Sequence, residues 1–409
     1  MKGLDILEHC GIEYRRLVNN AKWTLASLNW APRFDESNIC ELERHNLTDE
    51  TFVLLHGKAT LLVGEKADRV EMEPLKYYNV RAGIWHHIIV SEDARVLVAE
   101  NANTSKDNTE YLSLATGEVF RKYPEFEEVL PDTYLLKVPF GPVWTGIILI
   151  KGEKNILIDS SHLEPESYLV PALEKLGMKL SDIDWLLNTH VHGDHIGGHH
   201  SLVTKYGLKT ATIETSADAL RDPVKVAIRV RTRFPMNSPA PQSYLKGVEP
   251  DKVLAEGELL EGRFYALATP GHDDDCLTWV DTKTGTAFTG DSIQANGTPC
   301  QGVGFYRDKN AYLGSLQKLS EAELENIVCG HDYDGIGSVI KGADEVSAVL
   351  QYCKERVALY DSKIKEYVAS GMSVEDEPVA MALKLIGEVG CGMPDQLFLA
   401  LHTVSEHLK

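Results

Sequence analysis

No apolar run in the 409 residues approaches membrane-spanning length, which argues against a helical membrane protein. The first residues, MKGLDILEHCGIEYRR, place acidic groups and a histidine among the apolar ones and lack a signal-type apolar core, so a cytoplasmic location is expected. Cysteine is sparse and unpatterned. The seven cysteines, at 10, 40, 276, 300, 329, 353 and 391, are odd in number and form no Cys-x-x-Cys pair, which reads as reduced thiols and not as a disulfide framework. Core packing is the default for them, with a redox or ligand role left open for Cys276 and Cys329, which lie close to candidate ligands. Positive charge is also short: 41 Lys and Arg against 61 Asp and Glu give a net charge of -20, so the basic footprint of a nucleic-acid partner is missing. A local cluster or bound metal can still offset that field for a small anionic substrate. No Ser-His-Asp arrangement is evident.

What is present is an ordinary soluble composition, 43% hydrophobic and 25% charged, in a chain long enough for two domains. The most informative stretch is Asn188 to Gly198, NTHVHGDHIGG, in which His190, His192, Asp194 and His195 fall within six positions. The apolar run Trp185 to Leu187 before it reads as a buried strand, so these residues sit on a strand-end loop. Imidazoles with a carboxylate suit zinc or another borderline transition metal, and calcium or magnesium would not favour so many nitrogens. Three later apolar runs stop the same way: Phe264 to Ala268 before Thr-Pro-Gly-His272, Thr286 to Thr289 before Gly-Asp291, and Asn326 to Cys329 before Gly-His331. If the carboxyl ends of these strands share one edge, seven side chains converge in one cleft.

His190-x-His192-x-Asp194-His195, followed in order by Pro-Gly-His272, Thr-Gly-Asp291 and Gly-His331, resembles the metallo-β-lactamase-fold hydrolases over about Pro124 to Lys409. The resemblance implies an α/β fold, an αββα sandwich. It implies one metal on His190, His192 and His272, a second on Asp194, His195 and His331, and Asp291 bridging the two. Asp159, at the end of the strand-like run Asn155 to Ile158, matches a position that supports the metal loop from behind. A hairpin loop often overhangs the metals in that family, which makes Phe140 and Trp144 candidate substrate contacts; capping the core is the other reading of these two aromatics.

Residues 1–122 read as a separate all-β module, with short strands at Glu50 to Leu55, Ala59 to Val63, Tyr77 to Val80, His87 to Val90 and Arg95 to Ala99. Glu43-x-His45-x4-Glu50-x6-Gly57 and Ala82-Gly83-x2-His86 resemble the two cupin motifs, with Glu43 where the family has His and Arg81 where it has Pro. A cupin-like barrel is therefore expected. Glu43, His45, Glu50 and His86 form either a carboxylate-rich site of the kind that suits iron, manganese or nickel, or polar residues at the mouth of a metal-free docking or dimerisation module.

Residues 123–341 are read as the catalytic domain and 342–409 as a helical C-terminal extension, the period from Val346 to Val368 being helical. Thr133 to Val138 and Gly146 to Lys151 read as paired strands around the Gly141-Pro142 turn, and Glu166 to Leu176 as a helix ending at Gly177. His199 and His200 read as exposed or supporting histidines. Arg221 to Lys252, with Arg229, Arg231 and Arg233 alternating and prolines at 235, 239, 241 and 250, reads as an insertion or flap. Its arginines either receive a substrate anion or form a solvated face. Tyr306 and Arg307 are candidate pocket residues before a helix over Ala311 to Leu319; Ser373 and Asp376 resemble a capping pair, and Pro394 suits the first turn of a last helix.

The resemblance implies a metallo-hydrolase of a small ester, thioester, lactone or amide, with two divalent metal ions, zinc first and iron or manganese as the other choices. The nucleophile would be a metal-bound hydroxide, and Asp194 would relay a proton as well as bind. Lactonase and hydroxyacylglutathione-hydrolase-like activities are the first two to try. The rival readings are a mononuclear iron dioxygenase of the same fold and a metal-binding sensor or scaffold. The expected partner is a small-molecule substrate, with no nucleic acid and no membrane, and with a homo-oligomer open.

Overall fold

The computed structural model describes residues 7–19, 22–102, 104, 109–120, 123–140, 143–162, 164–234, 245–373, 378–392 and 396–409. The Gly141-Pro142 turn, the prolines at 235, 239 and 241, Asp376 and Pro394 lie outside the described residues. The chain divides into two compact units, Met1–Tyr123 and Pro124–Lys409.

In the first unit, a five-stranded sheet runs in the order Tyr14–Asn19, Trp23–Asn29, Arg95–Asn101, Glu50–His56, Tyr77–Val80. A six-stranded sheet runs Val119–Phe120, Thr109–Ser113, Glu41–His45, His86–Val90, Ala59–Val63, Asp68–Glu71. Alternate residues of each strand meet between the sheets: Ala26, Leu28, Phe52, Leu54, Val96 and Val98 from one against Ala59, Leu61, Ile88 and Val90 from the other.

The second unit also has two sheets. The first has seven strands in sequence order: Phe126–Leu130, Thr133–Phe140, Val143–Ile150, Ile156–Ile158, Trp185–Leu187, Thr210–Ile213 and Lys252–Leu254. The second has five: Phe264–Ala268, Leu277–Asp281, Thr286–Gly290, Asn326–Tyr333 and Gly337–Lys341. The continuous apolar runs are explained by cover on both faces. Ile148, Ile150, Ile156 and Ile158 turn inward against Phe264, Leu277, Trp279 and Phe288 of the other sheet. Ile147, Leu149 and Leu157 turn outward against Leu169, Ala172 and Leu173 of the helix Leu169–Lys175.

The outer face of the second sheet, through Val280, Ala287, Ile327 and Cys329, packs under the helices Lys309–Glu321, Ala343–Ala369, Pro378–Val389 and Leu397–His407. The result is a helix, sheet, sheet, helix sandwich. The helices from Ala343 onward thus form one layer of the second unit. The basic stretch read as a flap opens differently: Pro223–Thr232 is a helix, with Pro223 in its first turn, where the missing N–H is not needed.

Candidate metal centre

The site lies where strands of both sheets end. Trp185–Leu187 pairs in parallel with Ile156–Ile158 on one side and Thr210–Ile213 on the other, so the chain leaves the middle of the sheet at its carboxyl edge. His190 and His192 follow on that loop, and Asp194 and His195 start the short helix Gly193–Ile196. In the second sheet, Thr286–Gly290 and Asn326–Tyr333 are parallel, which carries Asp291 and His331 to the same edge. Ladder pairing of Asn326–Tyr333 with Gly337–Lys341 is irregular between Val328 and Tyr333, where the strand offers the His331 side chain to the site. His272 follows Phe264–Ala268.

Among the described residues of this unit, three groups of side chains present ligand atoms within 4.8 Å of one another: His190, His192 and His272; His190, His195 and Asp291; Asp194, His195 and His331. Ring orientation is fixed from behind. His272 Nδ1 donates to the Phe305 carbonyl at 3.0 Å, His331 Nδ1 to the Trp144 carbonyl at 2.7 Å, and His195 Nδ1 to Asp159 Oδ2 at 2.8 Å. Thr189 Oγ1 donates to Asp159 Oδ2 at 2.7 Å and accepts from His190 Nδ1 at 3.2 Å. Each of these four rings therefore keeps a lone pair on Nε2, aimed inward.

Such lone pairs face one another with nothing to donate between them. His195 Nε2 stands 3.3 Å from His331 Nε2, and His272 Nε2 stands 3.1 Å from His192 Nδ1. His190 Nε2 and Asp291 Oδ1 are buried without a hydrogen-bond partner. The two oxygens of Asp291 reach different groups, Oδ1 at 3.3 Å from His195 Nε2 and Oδ2 at 3.4 Å from His272 Nε2. Asp194 Oδ2 is 3.4 Å from His331 Nε2. Buried acceptors that converge in this way fit the binding of cations, and the nitrogen and oxygen donor set fits zinc or iron.

The electrostatics agree with that donor set. Burial pushes His190 well below its ordinary value and lowers His272 to about 4, so both rings are neutral donors. Burial opposes charge on His331 too, but Asp291 and Asp194 outweigh it and raise the ring to about 10. Asp291 is held well below the carboxylate range because His331 and His195 outweigh its burial. The carboxylates thus favour positive charge at the buried cluster.

A pocket of about 70 Å³ opens over the cluster, with Phe140, Phe305, Phe398, Arg231 and Gln301 among its walls. Of the residues expected as substrate contacts, Phe140 stands at this pocket. Trp144 packs partly buried against the core between the sheets. Tyr306 is in the core as well, 1% exposed, stacked on Tyr312 and bonded to His407 at 2.5 Å. Arg307 is instead held in a salt bridge with Asp273. A loop of undefined period does not reveal from its sequence which way each side chain turns. His199 is not exposed: it is wholly buried, 2.7 Å from Ser160 Oγ, and burial lowers it to about 3.

Sequence reasoning did not single out Asp273 or Asp275. Asp275 Oδ2 accepts from Val191 N at 2.8 Å and pins the ligand loop. Burial beside Asp273 raises its carboxyl to about 6. The signal available was position, directly after His272.

In the first unit, Glu50 Oε2 accepts from His86 Nε2 at 2.9 Å and from His45 Nε2 at 3.1 Å, at a cavity of about 300 Å³. Glu43, His45 and His86 present ligand atoms together, as do His45, Glu50 and Glu100. Burial would raise Glu50, but the two histidines outweigh it and hold it at about 2, and Glu50 in turn raises His86 to about 9 against its burial. His45 and His86 as proton donors satisfy this group without a cation.

A two-sheet sandwich covered by helices, with a buried histidine and carboxylate cluster where its strands end, defines the class of the second unit. Residues 138–331 match the model of the metallo-beta-lactamase superfamily. A metallo-beta-lactamase family protein from Thermus thermophilus overlays 68% of this chain and 94% of its own with a TM-score of 0.51, at 22% identity, a likeness of fold. A beta-lactamase-like protein 2 homolog of Caenorhabditis elegans is 28% identical over 51% of this chain and 62% of that one. A hydroxyacylglutathione hydrolase of Cereibacter sphaeroides is 33% identical over 40% of this chain and 53% of that one. The chain thus spans less than two thirds of either relative.

Proposed function

We propose that the second unit is a metal-dependent hydrolase of a small ester, thioester, lactone or amide, with two divalent metal ions. The observation that carries this reading is the pair of ligand groups joined by the two oxygens of Asp291, with the histidine lone pairs turned to the interior. His190, His192 and His272 would hold one ion, Asp194, His195 and His331 the other. Bound there, the metals would supply an acidified water and a Lewis acid for the scissile carbonyl. Asp159 keeps His195 in the donor tautomer directly and His190 through Thr189. Asp194, whose side chain is 19% exposed and the most accessible of the three carboxylates at the cluster, is placed to take up or return a proton. Phe140, Phe305 and Phe398 exclude water from the reacting carbonyl, and Arg231 offers a cation to an anionic substrate. The match to a hydroxyacylglutathione hydrolase supports starting with thioesters.

A panel of thioesters, lactones and aryl esters, run before and after treatment with a chelator and again after zinc is restored, tests this reading. Turnover that disappears and returns with the metal is expected; hydrolysis that survives complete metal removal contradicts it.

A further inference from the structure

We propose that Asp273 is a positioning residue of the metal centre: clamped between Arg229 and Arg307, it fixes the ring of His192 so that Nδ1 is offered to the metal. The inference rests on the metal-centre reading above. His192 Nε2 stands 3.0 Å from Asp273 Oδ2. An ionised carboxylate only accepts, so the ring proton is on Nε2 and the lone pair is on Nδ1, 3.1 Å from His272 Nε2. The other two histidines of the set do the reverse, tied at Nδ1 by Thr189 and by the Phe305 carbonyl. His192 is therefore the one of the three whose tautomer is set by a charged side chain.

The clamp divides the work between the two carboxylate oxygens. Asp273 Oδ1 accepts from Arg229 Nη2, from Arg307 Nη1 and, at 2.8 Å, from the Asp274 backbone N–H, which leaves Oδ2 for His192. The side chain of Asp273 is 0% exposed, and two guanidinium groups offset the cost of burying its charge. Arg229 comes from the helix Pro223–Thr232 and Arg307 from the segment before Lys309–Glu321, so two separate elements hold one oxygen of one carboxylate in place. A carboxylate on the far nitrogen also strengthens the near one as a metal donor.

The test uses the full chain, stripped with a chelator and then titrated with Zn²⁺ against a fluorescent competitor, with Co²⁺ loading read by its visible absorption. Asp273→Asn should weaken one of the two zinc sites by about 10- to 100-fold, shift the cobalt spectrum and leave the other site at wild-type affinity. Arg229→Ala, at a side chain 41% exposed, should shift the same site in the same direction by less, and it serves if Asp273→Asn does not fold. Wild-type affinity and an unchanged cobalt spectrum in both variants would overturn the proposal. Equal weakening of both sites with a lowered melting temperature would overturn it too, marking Asp273 as merely structural. A wild-type chain that binds no zinc would instead overturn the metal-centre reading beneath it.

Discussion

Gly330 measures how closely the metal cluster is packed. A Cβ there would lie 2.7 Å from His195 Cε1 and 2.9 Å from Asp291 Oδ1, closer than van der Waals contact allows. Neither neighbour yields readily, because His195 is bonded to Asp159 and Asp291 is buried. Gly330→Ala is expected to destabilise the chain by about 1–3 kcal/mol, the usual cost of overpacking. It should also lower the metal bound per chain, which elemental analysis reads beside a melting curve. Retention of full metal content would show that the cluster relaxes around the methyl group. The same residue explains part of what the sequence conveyed. A glycine before His331 was visible as a strand-end signal, whereas its contact with His195, 135 positions earlier, needs the folded chain.

Elements differ in how much their own sequence discloses. The strand Ile156–Ile158 and the helix Ala343–Ala369 were legible, because a buried apolar run and a sustained helical period are both local patterns. The strands Trp23–Asn29 and Glu41–His45 were not, because Thr24 and His45 are buried while Trp23 is exposed, so polarity along them does not follow burial. The helix Pro223–Thr232 was hidden by its proline and its alternating arginines. Arg229 turns to Asp273 and Asp274 while Arg231 lies at the pocket, a division that spacing alone does not reveal. Leu157 is wholly buried on the helix-covered face of its sheet, so Leu157→Ala should cost about 2–5 kcal/mol in urea unfolding. A loss below about 1 kcal/mol would mean that this layer collapses onto the gap.

At the scale of the whole molecule, an excess of acidic residues makes stability depend on how the buried carboxylates are paired. Asp281 is an example away from the metal cluster. Burial would raise it, but two bonds from Arg263, each 2.7 Å, outweigh burial and hold it below its ordinary 3.8. A depressed folded value means that this pair stabilises fully above pH 3.8 and that the contribution fades as pH falls through the lowered value. Arg263→Met should therefore be less stable than wild type at neutral pH, with the difference shrinking below pH 3.8, as unfolding midpoints across the acid range would show. A difference that stays constant with pH would place the stabilisation outside this ion pair.

That the seven side chains brought together at one edge of the two sheets hold two ions is the central claim. Metal content per chain, measured by elemental analysis on wild type and on His192→Ala purified without added metal, tests it most directly. A dinuclear hydrolase predicts about two zinc ions in the wild type and a lower content in the variant, with hydrolysis falling in step. One iron per chain with oxygen uptake would contradict it in favour of a dioxygenase, and hydrolysis by metal-free protein would remove the site from the chemistry altogether.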